Sequence, residues 1–383
     1  MNALSQHSSV DDIKALVIRA ARERGAGDVR VAPAFVDAVS RERMREAFAR
    51  GDFQTWNYGD SYAATAADPQ HILAGAQSVI CFAVPYATPE QRRGPLRGRV
   101  SNYAWSYDYH RRIRAMLFEL AALINEAAGA PVTAIACDTK PIAERAFAAR
   151  AGVGWIGKHT NLISPKLGSF VFLGEIVTTL ALPVDGPIRK TCGSCSRCVD
   201  VCPTQALRGD YTIDARRCIA DLTQRTDAIP REMRPLLGDW VWGCDLCQIA
   251  CPPTQRAKVA ASSANEPADG DTAAPSLVEL LRLRSGEFKR RYQQTAMGWR
   301  GAAILRRNAA VALGNALDRS AVPALAQALV EDPHPMVRGH AAWALGRIGS
   351  PDAIRVLFQQ LPRELEENVK EEIRAAVEPL GGV

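Results

Sequence analysis

The strongest constraint on this chain is the spacing of its cysteines. Eight of its ten lie between positions 192 and 251, in two runs. The first is Cys192-x2-Cys195-x2-Cys198-x3-Cys202-Pro203; the second is Cys244-x2-Cys247-x3-Cys251-Pro252, with Cys218 upstream of it. The first run has the spacing of a bacterial ferredoxin loop. There, three thiolates from one tight turn hold a [4Fe–4S] cube and the fourth reaches a second cube. The second run lacks its leading cysteine, and Cys218 is the obvious substitute. The count then closes on two clusters, one held by Cys192, Cys195, Cys198 and Cys251, the other by Cys202, Cys218, Cys244 and Cys247. Cys81 and Cys137 are left over. Structural zinc is the competing reading, since Cys-x2-Cys pairs also make tetrahedral sites. Zinc accounts neither for the x2-x2-x3-Pro run nor for its second appearance.

That reading needs reduced thiols. Met1 to His7 shows no basic start leading into an apolar stretch, and no run of 18 apolar residues occurs anywhere. A cytoplasmic protein with no membrane span is therefore expected, in a compartment where cysteine blocks bind metal rather than form disulfides. At 383 residues and 23% charged, the chain is long enough for two or three domains with real cores. Its net charge of +6 is compatible with an anionic partner.

Hydrophobic periodicity outlines the rest. Residues 11 to about 50 read as helical, with Asp11 and Asp12 as caps. Strands are expected at 78–84, 132–137 and 169–180, and helices at 110–130 and 141–150, with Gly152 near a C-cap. The chain thus divides into an α/β N-terminal domain (1–185), a ferredoxin-like double-cluster insert (186–253), a linker (254–276) and an all-α C-terminal domain (277–383). In the last, Asn308-Ala-Ala-Val-Ala-Leu-Gly314 recurs 32 residues later as His340-Ala-Ala-Trp-Ala-Leu-Gly346. Each copy precedes a second apolar helix, at 322–329 and 354–361. A helix pair at this period resembles a HEAT-like repeat.

Several motifs together resemble epoxyqueuosine reductase. They are Asp138-x2-Pro141-x2-Glu144-Arg145, Gly152-x-Gly154-Trp155-Ile156-Gly157-Lys158, Asp214-Ala-Arg-Arg-Cys218-Ile219 and Gly243-Cys244-Asp245-x-Cys247-Gln248, alongside the cluster runs and the repeats. The resemblance spans about 55 to 380. It implies a cobalamin-dependent enzyme that reduces the epoxide of epoxyqueuosine at the tRNA wobble position. The corrin would lie between the α/β and cluster domains. Removing the epoxide oxygen needs two electrons and a proton for the leaving alkoxide, so one-electron clusters feeding a nucleophilic cobalt suit the task. Asp138 matches the family's proton donor, and burial beside the corrin would raise its pKa. An ordinary alternative is that Asp138 caps the helix near Pro141. The resemblance also implies cofactor contacts from Tyr103, Asp138, Lys158, Asn161, Leu162, Ala220, Thr223 and Asp245. Tyr109 and His110 line the pocket on this reading, or are a core tyrosine and a surface histidine. Departures include His159, where many members have Asn, and Ala220-Asp221, where Ser-Tyr is common.

Residues 277–307 carry eight Lys or Arg against two Glu, an excess equal to the net charge of the whole chain. Phe288, Tyr292 and Trp299 are interleaved, a pattern suited to phosphate contact and base stacking. Lys289, Arg290, Arg291, Arg306, Arg307 and, in a second loop, Arg225 are the candidate contacts to an anticodon stem-loop. A ferredoxin or flavodoxin would supply electrons to a monomeric enzyme. Two other functions fit the clusters: a corrinoid-dependent reductase of a small molecule, and a non-enzymatic electron-transfer protein.

Overall fold

The computed structural model describes residues 8–88, 93–138, 140–257, 267–269 and 271–378. Its strands are β1 (Asp28–Pro33), β2 (Ser78–Pro85), β3 (Arg99–Val100), β4 (Thr133–Ala136), β5 (Trp155–Ile156), β6 (Leu162–Ile163), β7 (Val171–Thr178) and β8 (Trp240–Trp242). The helices of the N-terminal half are α1 (Val10–Glu23), α2 (Ala38–Ala49), α3 (Asp60–Ala66), α4 (Tyr109–Ala128), α5 (Glu144–Ala151) and α6 (Arg197–Asp200). Then follow α7 (Ile219–Leu222), α8 (Leu246–Ile249), α9 (Pro252–Arg256), α10 (Leu277–Leu281) and α11 (Ser285–Arg291). The chain ends with α12 (Ala302–Ala316), α13 (Val322–Glu331), α14 (Pro335–Ile348), α15 (Pro351–Gln360) and α16 (Glu367–Val377).

These elements form two compact units, neither of which is a continuous stretch. One takes Met1–Thr88, Asp108–Arg216 and Leu246–Ser263; the other takes Pro89–Tyr107, Arg217–Asp245 and Ala264–Val383. The cysteine block is therefore divided between them. Of the expected linker at 254–276, residues 258–266 and 270 lie outside the described residues, and its first residues continue α9.

The first unit is built on a four-stranded sheet in the order β1-β2-β7-β4, antiparallel at every junction. Central β2 is buried over seven of its eight residues, as a strand covered on both faces must be. Helix α5 covers one face. Helix α4 lies on the other at Gly174, where an added Cβ would come within 2.9 Å of Ile113. Alternation then turns Glu175 to the α5 face, level with Cys81 on β2 and Ala136 on β4.

The expected helix over 11–50 is two helices with β1 between them. Val29, Val31 and Ala32 are buried in it, and pairing with β2 overrides the helical flanks. The cap of α1 is Ser9 rather than Asp11, with Asp12 returning the bond to the Ser9 amide in a capping box.

In the second unit β3 pairs in parallel with β8, and helices α10 to α16 pack around a core that includes Trp242, Leu305, Leu313, Leu325 and Leu345. The repeat has a visible packing consequence. A Cβ on Gly314 would meet Ala344 of α14 at 2.9 Å, and one on Gly346 would meet Ala376 of α16 at 2.7 Å. The same repeat position thus lets two successive helix pairs approach closely.

Candidate active site

Strand β4 ends at Ala136, and the chain leaves it through Cys137 and Asp138. Asp138 adopts φ +45°, a left-handed conformation rare outside glycine. It does not cap α5, whose N-cap is Ala143. Its side chain is 56% exposed and meets the start of α4. There Asp108 is the N-cap, accepting the His110 amide and binding His110 Nδ1 at 2.6 Å. His110 Nε2 lies 2.7 Å from Asp138 Oδ2, and the Tyr109 hydroxyl donates to the same oxygen at 3.1 Å. Stacking of Tyr109 on Phe172, with ring centroids 4.2 Å apart, fixes the phenol.

The charge states follow. Burial works against a charged His110, but its bonds to Asp108 and Asp138 and their charges outweigh it and lift the imidazole to about 9. Asp138 moves the other way. The His110 hydrogen bond, against burial and with help from the His110 charge and the Tyr109 hydroxyl, holds its carboxyl below the ordinary value. The raised pKa expected of Asp138 is not what this arrangement produces: the proton resides on His110.

Beside Asp138, Arg145 Nη1 donates to the Thr160 carbonyl and ties α5 to the glycine-rich loop. Within that loop the Asn161 amide donates to His159 Nδ1, which leaves the proton of the neutral ring on Nε2. Burial, with the Arg145 charge, drives His159 down to about 4 despite a backbone hydrogen bond, so the ring is neutral. His159 Nε2 and Trp155 Nε1 are both buried and have no hydrogen-bond partner among the described residues. Two orphan donors in one loop suit a ligand rich in acceptors.

The first cluster set also assembles within this unit. The Cys195 amide bonds the Cys192 carbonyl, Cys198 sits on α6, and Cys251 precedes α9. Burial, followed by the charges of Cys192, Cys251 and Cys195, pushes the Cys198 thiol to about 11. That the charges of Cys192, Cys251 and Cys195 reach Cys198 places the four side chains in one neighbourhood, as the ligands of an iron–sulfur cluster must be. No disulfide joins any of the ten cysteines among the described residues. Of the second set, Cys202 and Cys247 belong to the first unit, Cys218 and Cys244 to the other.

Several candidates have other duties. Lys158 Nζ is bound to the Gly193 carbonyl at 3.0 Å and so braces the cluster loop. Leu162 is buried in β6, and Asn161 contributes backbone bonds to the glycine-rich turn. In the second unit the Tyr103 hydroxyl accepts from Trp242 Nε1. Ala220 offers its carbonyl to Gln224. Thr223 is fully buried, its hydroxyl bonded to the Ile219 carbonyl and the Gly243 amide. Asp245 is buried against Ser101 and the Asn102 amide. The side chains of Leu162, Thr223 and Asp245 are thus buried, those of Thr223 and Asp245 with internal hydrogen bonds.

Most of the basic candidates are already neutralised or buried within the fold. Arg307 is fully buried and donates to the carbonyls of Leu222, Arg225 and Asp227. Arg306 is paired with Asp332 at 2.7 Å. Arg291 lies among Asp269, Asp271, Glu279 and Glu287, and Arg225 is paired with Asp227. Phe288 and Tyr292 are core residues. Lys289 and Arg290 are exposed and have no ion-pair partner among the described residues, and Trp299 is 53% exposed with the Arg300 guanidinium 3.7 Å above its ring.

Two acids of the site, Glu144 and Glu175, were given no role by sequence reasoning. Glu144 lies inside the quoted motif, and Glu175 was legible as a lone charge within an apolar strand.

Residues 67–139 match the family model described as epoxyqueuosine reductase QueG, residues 191–254 the 4Fe-4S double cluster binding domain, and residues 301–378 HEAT repeats. The chain is 37% identical over 318 residues to the epoxyqueuosine reductase of Bacillus anthracis, covering 82% of this chain and 83% of that protein. The Escherichia coli (strain K12) protein of that name is 36% identical over 305 residues, covering 78% of this chain and 80% of its own. A crystal structure of epoxyqueuosine reductase bound to an epoxyqueuosine-modified tyrosine tRNA stem loop superposes with TM-score 0.91 at 32% identity, covering 97% of this chain and all of that one. The Bacillus subtilis enzyme, solved with its catalytic aspartate loop swung out of the active site, superposes at 0.90 with 31% identity, covering 97% and 99%. On these matches the chain belongs to the epoxyqueuosine reductase family.

Proposed function

We propose that this protein reduces epoxyqueuosine to queuosine in the anticodon loop of tRNA. The observation that carries the reading is the Asp138–His110 pair at the mouth of the sheet, within a chain that matches a stem-loop-bound family member over 97% of its length. Deoxygenating an epoxide takes two electrons and two protons and releases water. Two [4Fe–4S] clusters would supply the electrons, and we assign their ligands as Cys192, Cys195, Cys198 and Cys251, and as Cys202, Cys218, Cys244 and Cys247. The grouped thiols of the first set support that division. A reduced ferredoxin or flavodoxin is the proposed donor, to a monomer in the cytoplasm.

We assign cobalamin as the second cofactor; when bound it supplies a strongly reducing, nucleophilic cobalt. The unpartnered donors of Trp155 and His159 fit its acceptor-rich rim. Asp138 then delivers a proton to the departing oxygen. His110, charged at neutral pH and bonded to Asp138 Oδ2, is the store from which Asp138 is reloaded. Asp108 holds the imidazole in place, and Tyr109 fixes the carboxylate orientation. The tRNA surface is narrower than composition indicated: Lys289, Arg290 and the Trp299–Arg300 stack are the proposed contacts. No described helix is long and apolar enough to cross a membrane.

Asp138→Asn keeps the acceptor geometry but cannot carry the proton. The variant should retain iron and corrin and lose queuosine formation in a nucleoside assay of tRNA. Normal turnover by this variant would remove Asp138 from the acid role.

A further inference from the structure

The first unit holds two more acids behind Asp138 that the reading above leaves unused, Glu175 buried and Glu144 half-buried. Glu175 is 0% exposed on the α5 face of the sheet, and neither of its carboxylate oxygens has a hydrogen-bond donor among the described residues. Its neighbour is Glu144, the first residue of α5, close enough for a hydrogen bond between the two carboxyls once one is protonated. Two ionised carboxylates can only accept, and an anion at Glu144 against one buried at Glu175 would be repelled with no donor between them. A proton held between them satisfies both. Glu144 has a second bond: its Oε1 accepts the Asp138 amide at 2.6 Å. That bond closes on the residue whose backbone is left-handed, a conformation that persists only where its surroundings enforce it.

We propose that Glu144 and Glu175 form a proton-sharing acid pair whose purpose is to latch the Asp138 loop in its working position, with Glu144 as the positioning residue. The inference rests on Asp138 being the acid of the site. While the proton is present, Glu144 stays against Glu175 and its other oxygen fixes the Asp138 amide. Loss of the proton sets two anions side by side with Asp138 as a third, drives Glu144 outward and frees the loop. The groups facing the pair are Cys81 of β2, Cys137 beyond β4, Asp138, His110 of α4, Arg145 of α5 and Tyr62 of α3. Burial favours retention of the proton: it pushes Glu144 up to about 7, against the pull of the Asp138 amide, and Glu175 well above the ordinary range. Of the facing cations, Arg145 opposes this for Glu144 most strongly and His110 less, without cancelling it.

Three measurements on the cofactor-loaded enzyme test the latch. Amide hydrogen exchange at Asp138 should rise at least roughly tenfold in Glu144→Ala, with substantial rescue in Glu144→Gln, whose carbonyl still accepts. The kcat of Glu144→Ala should fall on the order of a hundredfold at unchanged KM for tRNA, as expected of a displaced catalytic group. Infrared difference spectra at neutral pH should show a protonated-carboxyl band that Glu175→Gln removes, and the same variant should move the alkaline limb of kcat upward, because its amide donates where the shared proton was. Unchanged Asp138 exchange in Glu144→Ala, or no protonated carboxyl in the parent enzyme, would overturn the latch. Exchange and infrared readouts do not depend on the chemistry. Should Asp138→Asn keep turnover, the acid assignment falls while those two readouts still decide whether the latch exists.

Discussion

Raising the pH past neutrality removes the proton from His110, and the structure sets the size of the effect. The imidazole is lifted from 6.5 to about 9 in the folded chain, against the cost of burial, by its bonds to Asp108 and Asp138. Each tenfold change in a proton equilibrium is worth about 1.4 kcal/mol, so charged His110 contributes about 3 kcal/mol to folding. Its side chain is 24% exposed, and sharing with two carboxylates whose own values are lowered makes about 2 kcal/mol the working figure. The folded state holds the proton more tightly than the unfolded one. The stabilisation is therefore complete below about pH 6.5 and is lost as the pH climbs through 9. The assay is urea unfolding of anaerobic protein at half-unit steps from pH 6 to 10, for the parent and for His110→Asn. The parent should lose about 2 kcal/mol more than the variant across that window, and turnover should decline over the same range as Asp138 loses its proton source. Equal slopes for the two proteins would refute the assignment of the proton to His110.

Two further outcomes follow from the second unit. Arg307→Met deletes a buried guanidinium that satisfies three carbonyls of the 222–227 segment; urea unfolding should show about 3–5 kcal/mol of lost stability, with no change in the salt slope of tRNA binding. Lys289→Glu with Arg290→Glu should do the reverse, weakening tRNA binding and flattening its salt dependence by about two phosphate contacts while leaving the unfolding curve in place.

The two arginine predictions mark where one-dimensional reading stops. Composition shows that residues 277–307 are basic, but not which charges are already neutralised. That depends on Asp332, Asp269 and Asp271 and on backbone carbonyls 80 or more positions away, which only the folded chain brings to Arg306, Arg291 and Arg307. The double-cluster motif was legible because a cubane demands thiols at fixed local spacings. The repeats were legible because identical packing recurs at identical intervals, as the paired roles of Gly314 and Gly346 show. Asp138 was legible through its motif, but its protonation was not. Its partner His110 lies 28 positions upstream, and their bond forms only because α4 begins beside the end of β4. Glu175 is the clearest case. In sequence it is one acid in an apolar strand; in the sheet it sits level with Cys81 and beneath Glu144, where exclusion of water turns two ordinary carboxylates into holders of a single proton. Ligand identity was thus written in local spacing, while charge state, strain and the division of labour among the arginines were decided by which distant groups the fold desolvates together.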